Sequence, residues 1–462
     1  MPPCAGGMLL ESRFEEESAA AAAPEPTDPG PSPADKEAAY EKFVWDNLKR
    51  NYVAHYLHGM LGMTGFRLIN APTFLPAYLH MLASASPLGG LQANTVVGLG
   101  LALQQLGGVI SPIVGANKIE HRTTVMPAAI WMGGLARLQI IGMALAGWFL
   151  AGQSRIVAIL GFMFLFGLFM GTQRVVFSML MAKVIPISRR GRLQAWRNAT
   201  GGVIAAALAY MAGRYFIDAN LFGNGYSTTF LFAFALTSLG LTALRLLMIE
   251  PEPPTVRAQM RLRDRLKDFP GLLADRGFLF FMVVQMLAIS GRMAVPFYII
   301  FASSTIELSG ANIGLLSLAY LGADTVSNLV WGYLGDKTGF RLIMLVSLVL
   351  WIGSTVLLMN ADSLLLIVAA FAGLGASQSG YMMSAGTMIL EFGDRDEMPM
   401  RIAFSATAEG IMASIGPLFG GIVSSALGYG WLFSISIAFL LAGLVVLVTL
   451  VKEPRTARRA TF

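Results

Sequence analysis

VWGYLGDKTGFR, residues 330–341, is a glycine-punctuated polar stretch that closes one long apolar run and opens the next. It holds Gly332, Gly335, Asp336, Lys337, Gly339 and Arg341. The glycines permit a tight turn. Asp336 falls where one helix ends and the next begins, close to helix-terminus partial charges. Lys337 and Arg341 are placed to meet acids or carbonyls of neighbouring helices. A partial copy lies earlier, in PIVGANKIEHR, residues 112–122. Aligned without gaps, Asn117-Lys118 falls on Asp336-Lys337 and Arg122 on Arg341, while Glu120 stands where Gly339 does. The same junction written twice points to two repeated halves.

The flanking runs say what those halves are made of. The chain has 462 residues, 55% hydrophobic and only 13% charged, with a mean hydropathy of +0.63. Soluble domains carry about 25% charged residues. Apolar stretches of membrane-crossing length recur from residue 52 onward. Twelve are predicted, near 53–82, 91–116, 124–151, 154–184, 193–216, 227–249, 277–304, 310–335, 340–360, 362–391, 400–425 and 429–451. Each is long enough for a core of about 30 Å at ~1.5 Å per residue. The expected fold is all-α and integral to the membrane, with twelve transmembrane helices in two pseudo-symmetric halves, 37–250 and 277–452. A central cytoplasmic loop, 251–276, joins them. The Ala-, Pro- and acid-rich segment 1–36 lacks the apolar core of a signal peptide and reads as a disordered tail, and 453–462 as a second tail.

The loops set the orientation. One side collects Lys118, Arg122, Lys183, Arg189, Arg190, Arg192, six bases of the central loop, Lys337, Arg341, Arg395 and Arg401. The other holds Arg155 with Asp218, Glu307 and Asp362. Basic loops stay inside, so both termini are expected in the cytoplasm of a multi-pass protein of the plasma (inner) membrane. The net charge of +6 is thus a topology signal and does not point to nucleic acid. Cys4 is the single cysteine, which excludes an internal disulfide. No Walker loop and no catalytic triad pattern occurs, so neither an enzyme nor a cofactor is expected. His55 and His58, spaced i and i+3, read as interfacial side chains rather than metal ligands, and no metal site is expected.

The stretch 332–341 resembles the signature loop of the major facilitator superfamily, which joins the second and third helices of each half. GPLFGG (416–421) followed by GYGW (428–431) resembles that family's pattern between its eleventh and twelfth helices. The resemblance covers residues 40–455. It implies secondary active transport by alternating access, usually by a monomer in the lipid bilayer. It also implies that Gly332, Gly335, Asp336, Lys337, Gly339 and Arg341 form a gate that locks the cytoplasmic side while the protein faces outward. The alternative is that these charges only cap helices and set topology.

Several ionisable residues fall inside the predicted spans: Arg67, Arg137, Arg174, Arg292, Asp324 and Glu409. Each costs at least ~2.5–3.5 kcal/mol at mid-bilayer, so each should face the interior or a watery cavity. TGFRLINAPTFLPAY (64–78) and SGRMAVPFY (290–298) place Arg67 and Arg292 at similar depths of the first and seventh helices. In the superfamily helices 1, 4, 7 and 10 line the central cavity. Two guanidiniums from opposite halves suit a carboxylate or phosphate, as in the family's organic-anion and sugar-phosphate carriers. Gln173, Arg174, Gln378 and Tyr381 would complete the polar lining, with Tyr78 and Tyr298 as aromatic walls. Asp324 and Glu409 are proton-coupling candidates. They are equally candidates for plain counter-charges to the arginines, although two acids cannot neutralise four bases. The expected substrate is a small organic anion. Efflux of lipophilic compounds through a Met- and Phe-rich cavity, and a non-transporting receptor or assembly factor on the same fold, are the alternatives.

Overall fold

The computed structural model describes residues 32–119, 123–252, 274–392 and 398–453. Its elements are helical throughout. Ten helices among the described residues are long and apolar enough to cross a membrane. Two further segments bring the set to twelve. Span 1 is Leu48–Asn70 continued by Phe74–Ala85, and span 2 is Ala93–Ile119. The rest are spans 3 (Met126–Phe149), 4 (Gly152–Val184), 5 (Ile187–Ile217), 6 (Gly225–Leu247) and 7 (Arg276–Ala302). Spans 8 to 12 are Gly310–Thr338, Phe340–Met359, Leu364–Glu391, Met398–Ala426 and Tyr429–Thr449.

Two of the breaks have identifiable causes. Ala71 is extended (φ −58°, ψ 140°), as the residue before a proline prefers, and Pro72 then interrupts span 1. In span 7 a tight 3-10 segment, Arg292–Phe297, surrounds Pro296. Most residues at these breaks, among them Ala71, Met293, Ala294 and Val295, are buried in the protein, where irregular backbone is tolerated. Helix starts are capped by Asn224, Asp275 and Ser309, whose side chains accept from the first-turn backbone N–H groups.

The packing repeats itself six spans later. Span 1 packs on 5 and 6, and span 7 on 11 and 12. Span 3 packs on 4 and 6, and span 9 on 10 and 12. Span 2 packs on 4, and span 8 on 10. The halves meet through span 2 against 11 and span 5 against 8, which is again a symmetric pair.

These inter-half contacts gather on the face away from the termini. A Cβ on Gly98 would lie 2.3 Å from the Pro417 carbonyl, and one on Gly213 would lie 2.1 Å from that of Gly310. A Cβ on Gly421 would lie 2.6 Å from the Asn94 carbonyl. Thr95 and Ser425 hydroxyls meet at 3.0 Å, Asn94 donates to Tyr429 at 2.9 Å, and Asp218 accepts from the backbone N–H groups of Gly310 and Ala311. The face away from the termini is therefore closed.

Some boundaries differ from expectation. The segment ahead of span 1 is its own helix, Pro33–Asp46, started by a capping box at Ser32, so the last four residues assigned to the tail are helical. Span 5 begins at Ile187, six residues before its expected start, because Arg189, Arg190 and Arg192 are on the helix and not in a loop. Residues 1–31, most of the central loop (253–273), Arg395 and the tail from 454 lie outside the described residues, as do Glu120, His121 and Arg122 of the first-half loop copy.

Candidate functional site

The helix 1 and helix 7 arginines sit at the centre of the molecule in different circumstances. Arg67 reaches across the halves from span 1 to span 8. Its Nη1 lies 3.2 Å from Asp324 Oδ2 and donates to Thr325 Oγ1 at 3.0 Å. Gly202 on span 5 makes room for this contact, since a Cβ there would stand 2.6 Å from Arg67 Nη1. Arg67 therefore has a counter-charge, as the counter-charge alternative requires. Asp324 is flanked by Asn328, which donates to Ser379 of span 10 at 3.1 Å.

Arg292, half-buried on the 3-10 segment of span 7, makes no hydrogen bond and no ion pair among the described residues. It lines a pocket of about 140 Å³ between spans 1, 2, 7 and 11. The two helix breaks form its floor, with Asn70 and Pro72 from one and Val295 and Pro296 from the other. Gln104 donates to Asn70 at 2.7 Å across its rim. Much of the remaining wall is apolar, including Ile69, Leu75, Leu101, Ile289, Met293 and Ala413. Tyr320 of span 8 lies within electrostatic reach of Arg67, Arg292 and Asp324, so the two guanidiniums approach one phenol from opposite halves.

Glu409 on span 11 faces span 7. It accepts from Gln285 Nε2 at 3.0 Å, and Gln285 Oε1 in turn accepts from Ser405 at 2.9 Å. Arg292 is within electrostatic reach of Glu409 and of Tyr381, whose hydroxyl donates to the Gln285 carbonyl at 3.4 Å. Gln285 and Tyr320 thus belong to the cluster although the sequence reading did not name them. The signal for Gln285 was present as one amide in the apolar run FLFFMVVQMLAI.

Other expected site residues separate. Gln173 and Gln378 are buried, each with one amide atom lacking a partner, whereas Arg174 is exposed. Tyr78 and Tyr298 are not cavity walls. Both are fully buried in the core, Tyr78 stacked on Tyr226 and hydrogen-bonded with Asn224, and Tyr298 bonded to Thr355. Following an arginine by eleven or six residues does not put a side chain on its face of the helix. His55 and His58 are not interfacial either. They are buried in the first half, at 1% and 8% exposure. No group of three or more His, Cys, Asp or Glu able to hold a metal occurs among the described residues.

The signature loop fastens the second half to itself. Gly339 turns at φ +90°, and a Cβ there would meet the Glu453 carboxylate at 2.5 Å. The Arg341 backbone N–H donates to Glu453, and its side chain donates to the carbonyls of Leu447 and Val448 at the end of span 12. Lys337 bonds to Tyr333 and lies over its ring at 4.2 Å. The first half holds the matching contact. Glu250, just past span 6, accepts from the Val125 and Met126 N–H groups at 2.7 Å each and pairs with Lys183 at 3.0 Å. Both acids sit at a helix N-terminus, where negative charge is favoured. Their repeated Glu-Pro context (250–251 and 453–454) was readable in the sequence and went unread. At the start of span 7, Asp275 holds Arg401 at 2.8 Å. Burial alone would raise the Asp275 carboxyl. The Arg401 bond and charge, with the Phe278 and Gly277 N–H groups, outweigh it and hold the group below its ordinary value.

Comparison with known proteins agrees with this architecture. Residues 280–461 match the family model described as Major Facilitator Superfamily. The solved nucleoside transporter NupG superposes with a TM-score of 0.67 at 12% identity, covering 87% of this chain and 100% of that one. A D-xylose-proton symporter gives 0.66 at 15% identity over 88% and 99%. The human organic anion transporter MFSD10 gives 0.61 at 15% over 86% and 99%. The family match covers residues 280–461, and the likeness to the solved transporters shows their fold over most of this chain. Among curated proteins, Protein spinster homolog 3 of Danio rerio is 29% identical over 150 residues; the match spans 32% of this chain and 30% of that relative's length.

Proposed function

We propose that the protein is a secondary transporter that moves a small organic anion through the space between its halves by alternating access, with Arg292 as the primary anion ligand. The observation that carries this reading is Arg292 itself. It is a guanidinium inside the membrane, at a helix break, lining an inter-half pocket and bonded to no group among the described residues. A charge so placed is costly unless an anion visits it. Three supporting likenesses are to a nucleoside transporter, a D-xylose-proton symporter and an organic anion transporter. The apolar wall favours an anion with an apolar body.

Arg67 is the second ligand in this scheme, and Asp324 competes for it. A substrate anion bridging Arg292 and Arg67 displaces Asp324, which then takes up a proton and is no longer a stranded charge. That exchange couples substrate to proton. Glu409 orients Arg292 from span 11, with Gln285 and Tyr381 completing the polar surround. Gln173, Arg174 and Gln378 are assigned to the wider cavity lining, and the signature loop to the gate.

The test is a thermal-stability screen of the purified protein against carboxylates, phosphates and sulfonates, beside Arg292→Gln. An anion that stabilises wild type and not the variant identifies the substrate class. If no anion stabilises wild type, or the variant responds equally, Arg292 is a counter-charge and the anion reading fails. Uptake of the same anion into proteoliposomes separates transport from mere reception.

A further inference from the structure

The first half contains a second, separate cluster of buried polar groups that nothing above uses. His55 and His58 on span 1 are buried, and both ring nitrogens of each lack a hydrogen-bond partner among the described residues. Arg137 on span 3 is 2% exposed. Two of its nitrogens donate to the carbonyls of Thr237 and Gly133, at 2.7 Å each, and Nη2 has no partner. Arg197 on span 5 is folded so closely over span 1 that a Cβ on Gly59 would lie 1.4 Å from its Cδ; its Nε is buried and unpaired. Asn198 Oδ1 beside it is unpaired as well. These groups are neighbours: His58 lies within electrostatic reach of Arg137, Arg197 and His55. Spans 4 and 6 add no charge to the cluster. Span 4 supplies the ring of Phe177, stacked on His58 at 4.4 Å, and span 6 the Thr237 carbonyl.

The charge balance is one-sided. Between Leu48 and Leu247 the only carboxylates in the sequence are Glu120 and Asp218, and both lie between spans. Among the described ion pairs, the acid that reaches this half from the other is Asp324, and it is already engaged by Arg67. Arg137 is a guanidinium buried without a counter-ion, which costs several kcal/mol, and half-buried Arg197 adds a second positive charge beside it. Each buried donor left unmade adds about 1–3 kcal/mol. A structure carrying both penalties in one place is missing a group of negative charge. The rings of Phe66, which lies under Arg137 at 5.5 Å, and Phe177 wall the cluster closely. The missing group is therefore small.

We propose that the first half binds one small inorganic anion of the chloride type between Arg137 Nη2, Arg197 Nε and the imidazole N–H groups of His55 and His58. The anion satisfies the unmade donors and neutralises the surplus charge. None of these residues lines the Arg292 pocket, so the two sites are separable.

The experiment uses the purified full-length protein at constant ionic strength, with chloride replacing gluconate, and measures thermal stability and binding of radiolabelled chloride. The expected result is a saturable rise in stability with chloride and one bound chloride per chain. Arg197→Gln should weaken binding roughly tenfold or more, because a charge-assisted bond is lost. His58→Gln is the second variant, should the first fail to fold, and is expected to weaken binding as well. Arg292→Gln should leave both readouts unchanged. Stability indifferent to chloride together with no bound label overturns the proposal and assigns the cluster to buried water. Loss of binding in Arg292→Gln, with retention in Arg197→Gln and His58→Gln, overturns it by moving the anion to the other pocket.

Discussion

The Arg67–Asp324 pair is the one charge contact that crosses between the halves among the described ion pairs, and its removal is the sharpest test of how they hold together. At 3.2 Å and an effective dielectric of ~20, the Coulomb attraction is ~5 kcal/mol. Both side chains are 21% exposed, so desolvation offsets part of this. Removing one partner of a buried pair costs about 3–5 kcal/mol. The lower end applies here, since Thr325 still accepts from Arg67. Asp324→Asn should therefore shift the population away from this conformer by ~3 kcal/mol, or roughly 150-fold. The reporter is a cross-link between Thr95→Cys and Ser425→Cys, whose native hydroxyls touch at 3.0 Å on the closed face. Cys4→Ser removes the only native cysteine. The cross-linking rate should fall steeply in Asp324→Asn and recover in part in Arg67→Gln/Asp324→Asn, where no charge is stranded. Unchanged cross-linking in the single variant, with unchanged thermal stability, would refute the reasoning. In proteoliposomes the same variant should lose proton-driven uptake and keep exchange; loss of both marks Asp324 as a structural acid.

Three further outcomes are expected. Gly213→Val should prevent the non-terminal face from closing, because even a Cβ meets the Gly310 carbonyl at 2.1 Å; transport stops while the protein still folds, and the Thr95/Ser425 cross-link is lost. Glu250→Gln should lower stability by about 1–2 kcal/mol in chemical denaturation, since two backbone N–H groups and Lys183 lose their carboxylate. Asp275→Asn should remove a pH-dependent contribution. Its carboxyl is held below the ordinary 3.8, so the stabilisation is present above that value and fades as pH falls through the lower folded value. Thermal scans of wild type and variant should differ near neutrality and converge in strong acid.

The twelve spans and their division into halves were legible because membrane crossing demands long apolar runs, and a repeated polar junction survives as local sequence. The breaks of spans 1 and 7 are likewise local in origin, since Pro72 and Pro296 act on their own backbone. What was not legible depended on the third dimension. Arg67 finds Asp324 from 257 positions away, and nothing local to either says so. Tyr78 and Tyr298 were read by their distance along the chain from the arginines, when the face they occupy was set by packing on Tyr226, Phe230 and Phe433. Arg197 was lost to the prediction for a different reason. It lay inside the predicted span 193–216 but one turn from its start, behind the loop bases Arg189, Arg190 and Arg192, and it was passed over among the ionisable residues of the spans; the helix in fact begins at Ile187, which sets Arg197 deeper and folds it over span 1.

The seam on the face away from the termini consists of glycines against carbonyls, hydroxyl pairs and an amide–phenol bond, with Asp218 as its one charge. Such a seam behaves like a zip fastener with neutral teeth. Each contact that parts returns to water a group that water solvates well, and none leaves an ion facing hydrocarbon. The seam itself is held by fit, and the electrical tie between the halves, Arg67–Asp324, lies apart from it at the centre, so the work of parting the seam is spread over many small steps. It should respond to crowding of its glycines far more than to salt.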